Sequence, residues 1–239
     1  MKNNKILLVS VLLLASCRAE TGDNVLEIQR NRVATGECTA DGGGTENILG
    51  SGIIDVFTTS SGYLFRPEIF NNLQPTIGTD IQPSGQIFLE SVNAEISVRD
   101  SDQSDAISSA LESANLTQLN RSISGAIGAG DLLVSGFEIL PVEALEVINQ
   151  NLPLGEFVGL DVEVQVFGNL HGGDVSSNKF GYPIEVCHGC RIGGVFPDCA
   201  NLPANVPESE PGACGTLQES GVVFCCEFEG ETLCPIPQL

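Results

Sequence analysis

Runs in which apolar and polar residues alternate dominate the chain from residue 25 onward. A period of two places the apolar side chains on one face of a strand, so each run predicts a half-buried β-strand. The clearest runs are Val25–Arg30, 87–98 and 158–170. The last of these is followed by the turn His171–Asp174, which has two glycines, and by a second run that ends at Val186. This arrangement predicts a long β-hairpin.

Shorter apolar runs predict further strands. Ile53–Thr58 and Tyr63–Phe65 lie on either side of the turn Ser60–Gly62 and predict a second hairpin. Leu132–Val134 and Phe137–Leu140 also have strand character. The chain is therefore expected to be mainly β.

Two segments depart from this pattern. Asp105–Glu112 has helix-forming residues at i, i+3 and i+4 spacing and predicts a short helix inserted between strands. Pro141–Asn149 predicts one or two helical turns, with Pro141 at the first helical position, where its missing N–H is not needed.

Regularly spaced short strands with one apolar face are typical of an antiparallel sandwich. We therefore expect a mainly β fold, an antiparallel β-sandwich over residues 25–186 with a short helical insertion. Residues 187–239 are rich in Cys, Pro and Gly and show little periodicity. They predict a disulfide-rich C-terminal cap that covers one end or edge of the sandwich.

The first residues have the organisation of an export signal. Met1–Lys5 carries two positive charges, and the apolar run Ile6–Leu14 is broken only by Ser10. This run is too short to span a bilayer as a stable helix. The next residues, Leu14-Ala15-Ser16-Cys17, resemble the bacterial lipobox, which is an aliphatic residue, two small residues and a cysteine.

The lipobox resemblance implies a lipoprotein signal peptide over residues 1–16 and a lipidated tether over 17–24. Lipidation requires Cys17 because its thiolate accepts the diacylglyceryl group. Bacterial lipoproteins are triacylated, and two or more acyl chains anchor a protein stably. By the sorting rule of enteric bacteria, Arg18 implies the outer membrane. We therefore expect a lipid-anchored protein on the periplasmic or cell-surface face of that membrane.

The strongly negative charge of the chain excludes some classes of partner. Removal of residues 1–16 takes away Lys2 and Lys5, so the formal charge changes from −21 to −23. Such a surface repels nucleic acid and anionic lipid headgroups. The expected partners are the membrane, through the N-terminal lipid, and an envelope protein or ligand that the sequence does not identify. No cofactor is expected.

Eight cysteines remain after the lipidated one, and an even number in an exported chain predicts a disulfide framework. The pairs cannot be assigned from the sequence. Seven of the eight follow residue 186, so Cys38 must reach the C-terminal cluster if all of them pair. The disulfide candidates are Cys38, Cys187, Cys190, Cys199, Cys214, Cys225, Cys226 and Cys234.

The motif Cys187-His188-Gly189-Cys190 admits three interpretations: a structural disulfide, half of a metal site, and a redox dithiol. An exported chain favours the structural one, because thiols oxidise there. Zinc would need further reduced ligands, and a thioredoxin-like site would need a βαβ unit, of which there is no sign. The adjacent Cys225 and Cys226 also favour structural disulfides, since vicinal cysteines in small exported folds usually pair with different partners.

An acidic segment begins like a calcium-binding loop. Asp100 and Asp102 stand at the first and third positions of such a loop, but Asp105 stands at the sixth position, where the glycine should be. Leu111 stands where the bidentate glutamate should be. These aspartates are therefore weak calcium candidates, and the competing interpretation is an acidic surface loop with Asp105 near a helix N-terminus.

The sequence offers no catalytic motif, so we assign no catalytic residue. His171 lies in a predicted turn and His188 between two cysteines, and the chain has no Gly-x-Ser-x-Gly elbow. In a chain this acidic, no pair of carboxylates stands out as a glycosidase pair.

Two stretches resemble a group of cysteine-rich exported lipoproteins of myxobacterial type. One consists of Gly52–Val56 with Tyr63, Pro67 and Asn71–Leu73, and the other is Phe180–Cys190. The resemblance implies localisation and architecture, and it implies no particular activity.

Three functions follow as hypotheses. The leading one is a non-catalytic, membrane-anchored envelope or surface lipoprotein with a structural or partner-binding role. The second is a module that binds a small ligand, a glycan or calcium through loops at one end of the sandwich. The third is a periplasmic hydrolase or redox enzyme. A pocket lined by convergent polar groups would favour the second.

Overall fold

The computed structural model describes residues 25–33, 48–57, 61–75, 85–99, 103–203 and 222–234. Within these ranges the fold is mainly β, as predicted. The helices are α1 (Ser104–Ser113) and α2 (Val142–Asn151), and Cys199–Asn201 forms a 3-10 turn. The strands are β1 (Leu26–Arg32), β2 (Ile48–Leu49), β3 (Gly52–Asp55), β4 (Tyr63–Phe65), β5 (Pro67–Asn71), β6 (Ile87–Val98), β7 (Gln118–Ile127), β8 (Leu132–Val134), β9 (Phe137–Leu140), β10 (Phe157–Leu170), β11 (Gly173–Ser176), β12 (Phe180–Cys187), β13 (Ile192–Phe196), β14 (Val223–Phe228) and β15 (Glu231–Leu233).

Strand β10 is the centre of the largest sheet, whose strand order is β3-β12-β10-β6-β7. It pairs with β6 along one side and with β12 and β11 along the other. Val162 and Val164 are fully buried, whereas Asp161 and Glu163 lie on the opposite, solvent-facing side. The strands predicted from the three clearest alternating runs are therefore confirmed.

A second sheet, with the order β2-β1-β5-β8, shares one hydrophobic core with the first. Leu26 and Ile69 from this sheet belong to the same buried cluster as Val162 of the large sheet. Asn178 joins the two sheets at one edge, since its amide nitrogen donates to the Ile28 carbonyl and its amide oxygen accepts from the Ile28 N–H. The predicted sandwich is confirmed.

A charged cluster is buried between β1 and β5 of the second sheet. Glu68 is fully buried and forms ion pairs with Arg30 and Arg32. The side chain of Arg32 is 3% exposed, whereas that of Arg30 is 34% exposed. Because a buried charge without a partner is strongly destabilising, the three side chains act as one unit.

Both predicted helices are present and pack against each other. Helix α1 buries Ile107 and Leu111, and α2 buries Ala144, Leu145 and Ile148. The prediction for the start of α2 is off by one position. Pro141 is the N-cap residue with an extended backbone, and its carbonyl accepts the first hydrogen bonds of the helix.

The predicted hairpin between Ile53–Thr58 and Tyr63–Phe65 is wrong. Strand β3 instead pairs with β12 in parallel, with Ile54 beside Val186, and β4 pairs with β9. Ile54 and Tyr63 are both almost fully buried. Partners distant in sequence bury these side chains in the common core, and this burial outweighs the local turn signal.

The cysteine-rich segment contains a small sheet with the order β13-β14-β15. Strands β13 and β14 are parallel, and β14 and β15 are antiparallel. Val223 and Cys225 form a separate small core there. The predicted disulfide-rich cap is confirmed as a β-structure, although the sequence shows little periodicity in this region.

Several predicted features lie outside the described residues: Cys17 with the lipobox, Cys38, Cys214, Asp100 and Asp102. In the described part of the chain, no helix is both long and apolar enough to cross a bilayer.

Candidate functional site

The outward face of the large sheet carries a polar pocket of about 420 Å³, which we call the sheet-face pocket. It exists because β6, β7 and β10 lie side by side and each points alternate polar residues away from the core. The residues that line it are Asn93, Ala94, Glu95, Gln118, Leu119, Asn120, Glu163, Gln165 and Lys179.

The register of three strands arranges the polar side chains of the pocket in two rows. In one row, Asn120 of β7 lies beside Asn93 of β6, which lies beside Gln165 of β10. We call these three residues the amide row. The Gln165 amide nitrogen donates to the Ser177 carbonyl at 2.9 Å, which fixes its orientation.

The second row is acidic at two of its three positions. Gln118 lies beside Glu95, and Glu95 lies beside Glu163. Directly opposed like charges destabilise a sheet, and a nearby cation relieves the repulsion. Lys179 supplies that cation through an ion pair with Glu163. The hydrogen bond and the charge of Glu163, with a smaller contribution from Glu95, raise the pKa of Lys179 above its ordinary value.

The pocket therefore offers both donors and acceptors over a rigid surface. Each carboxamide provides one acceptor oxygen and two N–H donors, the carboxylates accept, and the ammonium donates. Because strands hold side chains more firmly than loops do, the array is preorganised. It is suited to a polar ligand whose groups both donate and accept hydrogen bonds.

A second distinctive place is the loop after β12, where Cys187 and Cys190 form a disulfide. Cys187 is fully buried and Cys190 is half-buried. In the parallel ladder Cys187 lies beside Asp55 of β3. We call residues 187–190 together with Asp55 the disulfide loop.

Asp55 is fully buried and binds the backbone of this loop with both carboxylate oxygens. Its Oδ1 accepts from the N–H of Gly189 at 2.8 Å and from the N–H of Phe57 at 2.9 Å. Its Oδ2 accepts from the N–H of Arg191 at 2.7 Å. The hydrogen bonds to residues 189 and 191 flank Cys190 and hold its backbone in place.

Further contacts hold the loop from the other side. The His188 N–H donates to the Glu156 carbonyl at 3.1 Å, and the Gly155 N–H donates to the His188 carbonyl at 2.8 Å. The imidazole Nδ1 of His188 lies 2.6 Å from the Leu152 carbonyl. Gly189 has a φ of +83°, a conformation that other residues adopt only with strain.

Two other disulfides join separate elements of the cap. Cys199 pairs with Cys226, and Cys225 pairs with Cys234. The expectation that the vicinal cysteines have different partners is thus confirmed. In the chain-entropy model, closing the 27-residue separation of the first pair stabilises the fold by about 3.6 kcal/mol. Closing the three-residue separation between Cys187 and Cys190 stabilises the fold by only about 2 kcal/mol in the same model.

In the described part of the chain, the residues that bring three potential metal-ligand atoms together are Asp55, Cys187 and Cys190. Their ligand atoms lie within 4.8 Å of one another. While the two sulfurs are bonded to each other, neither is the thiolate that zinc requires. Asp105, the described member of the weak calcium candidates, is exposed in the first turn of α1.

The two histidines have different surroundings. His171 lies in the turn between β10 and β11, where its Nε2 accepts from the Gly85 N–H at 3.3 Å. His188 is bound to the Leu152 carbonyl, as described above. Both imidazoles thus hydrogen-bond backbone groups.

Sequence reasoning did not single out the residues of the sheet-face pocket or Asp55. The alternation in β6 and β10 does place Asn93, Glu95, Glu163 and Gln165 on a solvent-facing side. Which strands lie next to each other, and in which register, cannot be read from that alternation. Asp55 gave no signal beyond a lone acidic residue inside the apolar run Ile53–Thr58.

No protein-family model, no curated protein and no solved structure matches this chain.

Proposed function

We propose that this protein is a non-catalytic, lipid-anchored envelope lipoprotein that binds a hydroxyl-rich ligand, such as a segment of an envelope glycan, in the sheet-face pocket. The observation that carries the proposal is the pair of polar rows on β6, β7 and β10. A sugar hydroxyl is both a donor and an acceptor. Carboxamides have the same dual character, and the amide row presents three of them side by side.

The remaining polar groups of the pocket fit the same class of ligand. Glu95 and Glu163 accept hydrogen bonds from hydroxyl groups, and Lys179 donates to ring or hydroxyl oxygens. Lys179 already neutralises Glu163, so a neutral ligand does not have to replace a counterion. This location differs from the loops at the sandwich end that the sequence suggested, because the polar groups converge on a sheet face.

The anchoring half of the proposal is supported by the N-terminal sequence. The lipobox residues Leu14-Ala15-Ser16-Cys17 and the short tether that follows would place the sandwich close to a membrane surface. A formal charge of −23 after cleavage keeps the domain away from anionic headgroups and nucleic acid. A neutral glycan is compatible with that charge.

Binding of defined oligosaccharides tests the pocket. The Cys17→Ser protein would be titrated calorimetrically with peptidoglycan fragments and neutral polysaccharide fragments of bacterial envelopes. In Asn93→Ala and Gln165→Ala, one carboxamide is removed from the amide row, and we expect about a tenfold loss of affinity for each. Gln150→Ala, at an exposed position of α2, is the matched control and should bind like the parent.

Two results would overturn the glycan assignment. One is the absence of binding to every oligosaccharide at millimolar concentration. The other is unchanged affinity in Asn93→Ala and Gln165→Ala. The main alternative is a calcium site, which a calcium titration tests. If the parent binds calcium but no glycan, and Glu95→Gln and Glu163→Gln abolish calcium binding, the pocket is a calcium site.

A further inference from the structure

We infer that the Cys187–Cys190 disulfide is a reversible thiol–disulfide exchange site. It takes two electrons from a pair of cysteine thiols on an exported polypeptide, and Cys190 is the sulfur that the incoming thiolate attacks. The inference is independent of the sheet-face pocket and of its ligand. It rests on the contacts of the disulfide loop.

The first observation is that the loop is held without the disulfide. Asp55 accepts the N–H groups of Gly189 and Arg191, and His188 forms two backbone hydrogen bonds with the segment before β10. None of these bonds involves a sulfur atom, so we expect them to remain when the disulfide opens. The loop is then expected to keep its shape on reduction, as a reversible exchange site requires.

The second observation is the unequal exposure of the two cysteine residues. Cys187 is fully buried in the core, whereas Cys190 is half-buried. An incoming thiolate needs access to the sulfur that it attacks. It therefore reaches Cys190, and Cys187 is the leaving sulfur.

The buried leaving sulfur also has a place for its proton. Cys187 Sγ lies 3.5 Å from the Ile54 carbonyl oxygen, so the reduced thiol is positioned to donate a hydrogen bond there. The Asp55 carboxylate lies within 4.8 Å of both sulfurs and disfavours a second negative charge beside it. Asp55 is a positioning residue that favours the disulfide over a separated dithiolate.

The exchange balances as follows. A partner thiolate attacks Cys190 Sγ, a new S–S bond forms between them, and the Cys187–Cys190 bond breaks with its electron pair on Cys187 Sγ. The second partner thiolate then attacks the partner sulfur of this mixed disulfide and releases Cys190. The partner ends with one disulfide and has lost two electrons. Cys187 and Cys190 end as thiols and carry the two protons of the partner thiols.

The surface around the loop fits a polypeptide partner better than a small thiol. Leu154 is 67% exposed and covers Gly189, and Phe157, which is 45% exposed, lies beside Cys187 in the sheet. Exposed apolar side chains next to the disulfide offer contact to an extended, apolar segment. The partner class is therefore an incompletely folded exported chain with a cysteine pair.

Redox titration of the mature chain tests the inference. The protein would be equilibrated in glutathione buffers of increasing reducing strength, alkylated, and mapped by mass spectrometry, with circular dichroism in parallel. We expect Cys187–Cys190 to open first, while Cys199–Cys226 and Cys225–Cys234 stay closed and the spectrum stays unchanged. Two results would overturn the inference: simultaneous opening of all three disulfides, or loss of structure when Cys187–Cys190 opens.

Single variants test the direction of attack. Cys187→Ser leaves Cys190 free, and Cys190→Ser leaves the buried Cys187 free. With a synthetic disulfide peptide as the probe, we expect the first variant to form a mixed disulfide at least about tenfold faster, because access limits the buried thiol. Equal or reversed rates would contradict the assignment of Cys190.

Asp55→Asn tests the positioning role. The loss of the negative charge beside the two sulfurs should shift the glutathione ratio for half-reduction about tenfold toward easier reduction. Asp161→Asn, at an exposed position of β10, is the control and should leave the ratio unchanged. An unchanged ratio in a folded Asp55→Asn protein would remove Asp55 from the proposal.

Discussion

Replacement of Glu68 by glutamine tests whether the buried ion cluster between β1 and β5 behaves as one unit. Glu68 is fully buried, and its two oxygens separately bind Arg30 and Arg32. A glutamine has the same shape, but its NH₂ group would face one of the two guanidinium groups. The substitution therefore removes the countercharge and replaces one hydrogen bond with a donor–donor contact.

The exposure of each arginine sets the expected magnitude. Arg32 is 3% exposed, so loss of its countercharge falls in the range for breaking a buried pair, about 3–5 kcal/mol. Arg30 is 34% exposed and adds at most about 1 kcal/mol, since water screens it. We expect Glu68→Gln to lower the free energy of unfolding by about 3–5 kcal/mol and the Tm by roughly 6–20 °C.

Urea unfolding with the disulfides intact is the assay, and a double-mutant cycle supplies the control. The single variants of the cycle are Glu68→Leu and Arg32→Met, and the second leaves the buried Glu68 carboxylate without its Arg32 partner. The double variant Glu68→Leu with Arg32→Met removes both buried charges and should be more stable than either single variant. A Glu68→Gln protein within about 1 kcal/mol of the parent, or additive effects in the cycle, would refute the reasoning.

Three further predictions concern other parts of the fold. Gly52→Ala should destabilise the protein by about 1–3 kcal/mol in urea unfolding, because the added Cβ would overlap the Tyr63 hydroxyl and ring; no loss of stability would contradict this packing. Glu163→Gln should return the raised pKa of Lys179 toward 10.5, measured by NMR of its side chain. Because the folded-state pKa is raised, the stabilisation is present below pH 10.5 and is lost as the pH rises through the raised value; an unchanged titration would contradict the ion pair. Cys17→Ser should abolish incorporation of labelled fatty acid and leave the chain in the soluble fraction, and membrane retention of this variant would contradict lipid anchoring.

The candidate sites were only partly predictable from the sequence. The alternation of residues in β6 and β10 correctly predicted which side chains avoid the core. The pairing of Asn120 with Asn93 and of Asn93 with Gln165 was not predictable, because register depends on the packing of the whole sheet. Asp55 was missed for the same reason, since its partners are 134 and 136 positions away in the chain.

Strands and helices with strong, local residue patterns could be predicted from the sequence alone. Burial of one face requires a period of two in a strand and of 3.6 in a helix, so β1, β6, β10 and α1 could be predicted with nearly correct bounds. The cysteine count also predicted a disulfide framework, but it did not show which cysteines pair.

Which strands lie beside each other could not be predicted, because it depends on the tertiary packing of the whole chain. A turn signal between Ile53–Thr58 and Tyr63–Phe65 predicted a hairpin, yet β3 lies beside β12 and β4 beside β9. The free energy of burying Ile54 and Tyr63 depends on what covers them, and this is a property of the whole core. The same long-range packing brings Asp55 to the disulfide loop and aligns the two rows of the sheet-face pocket.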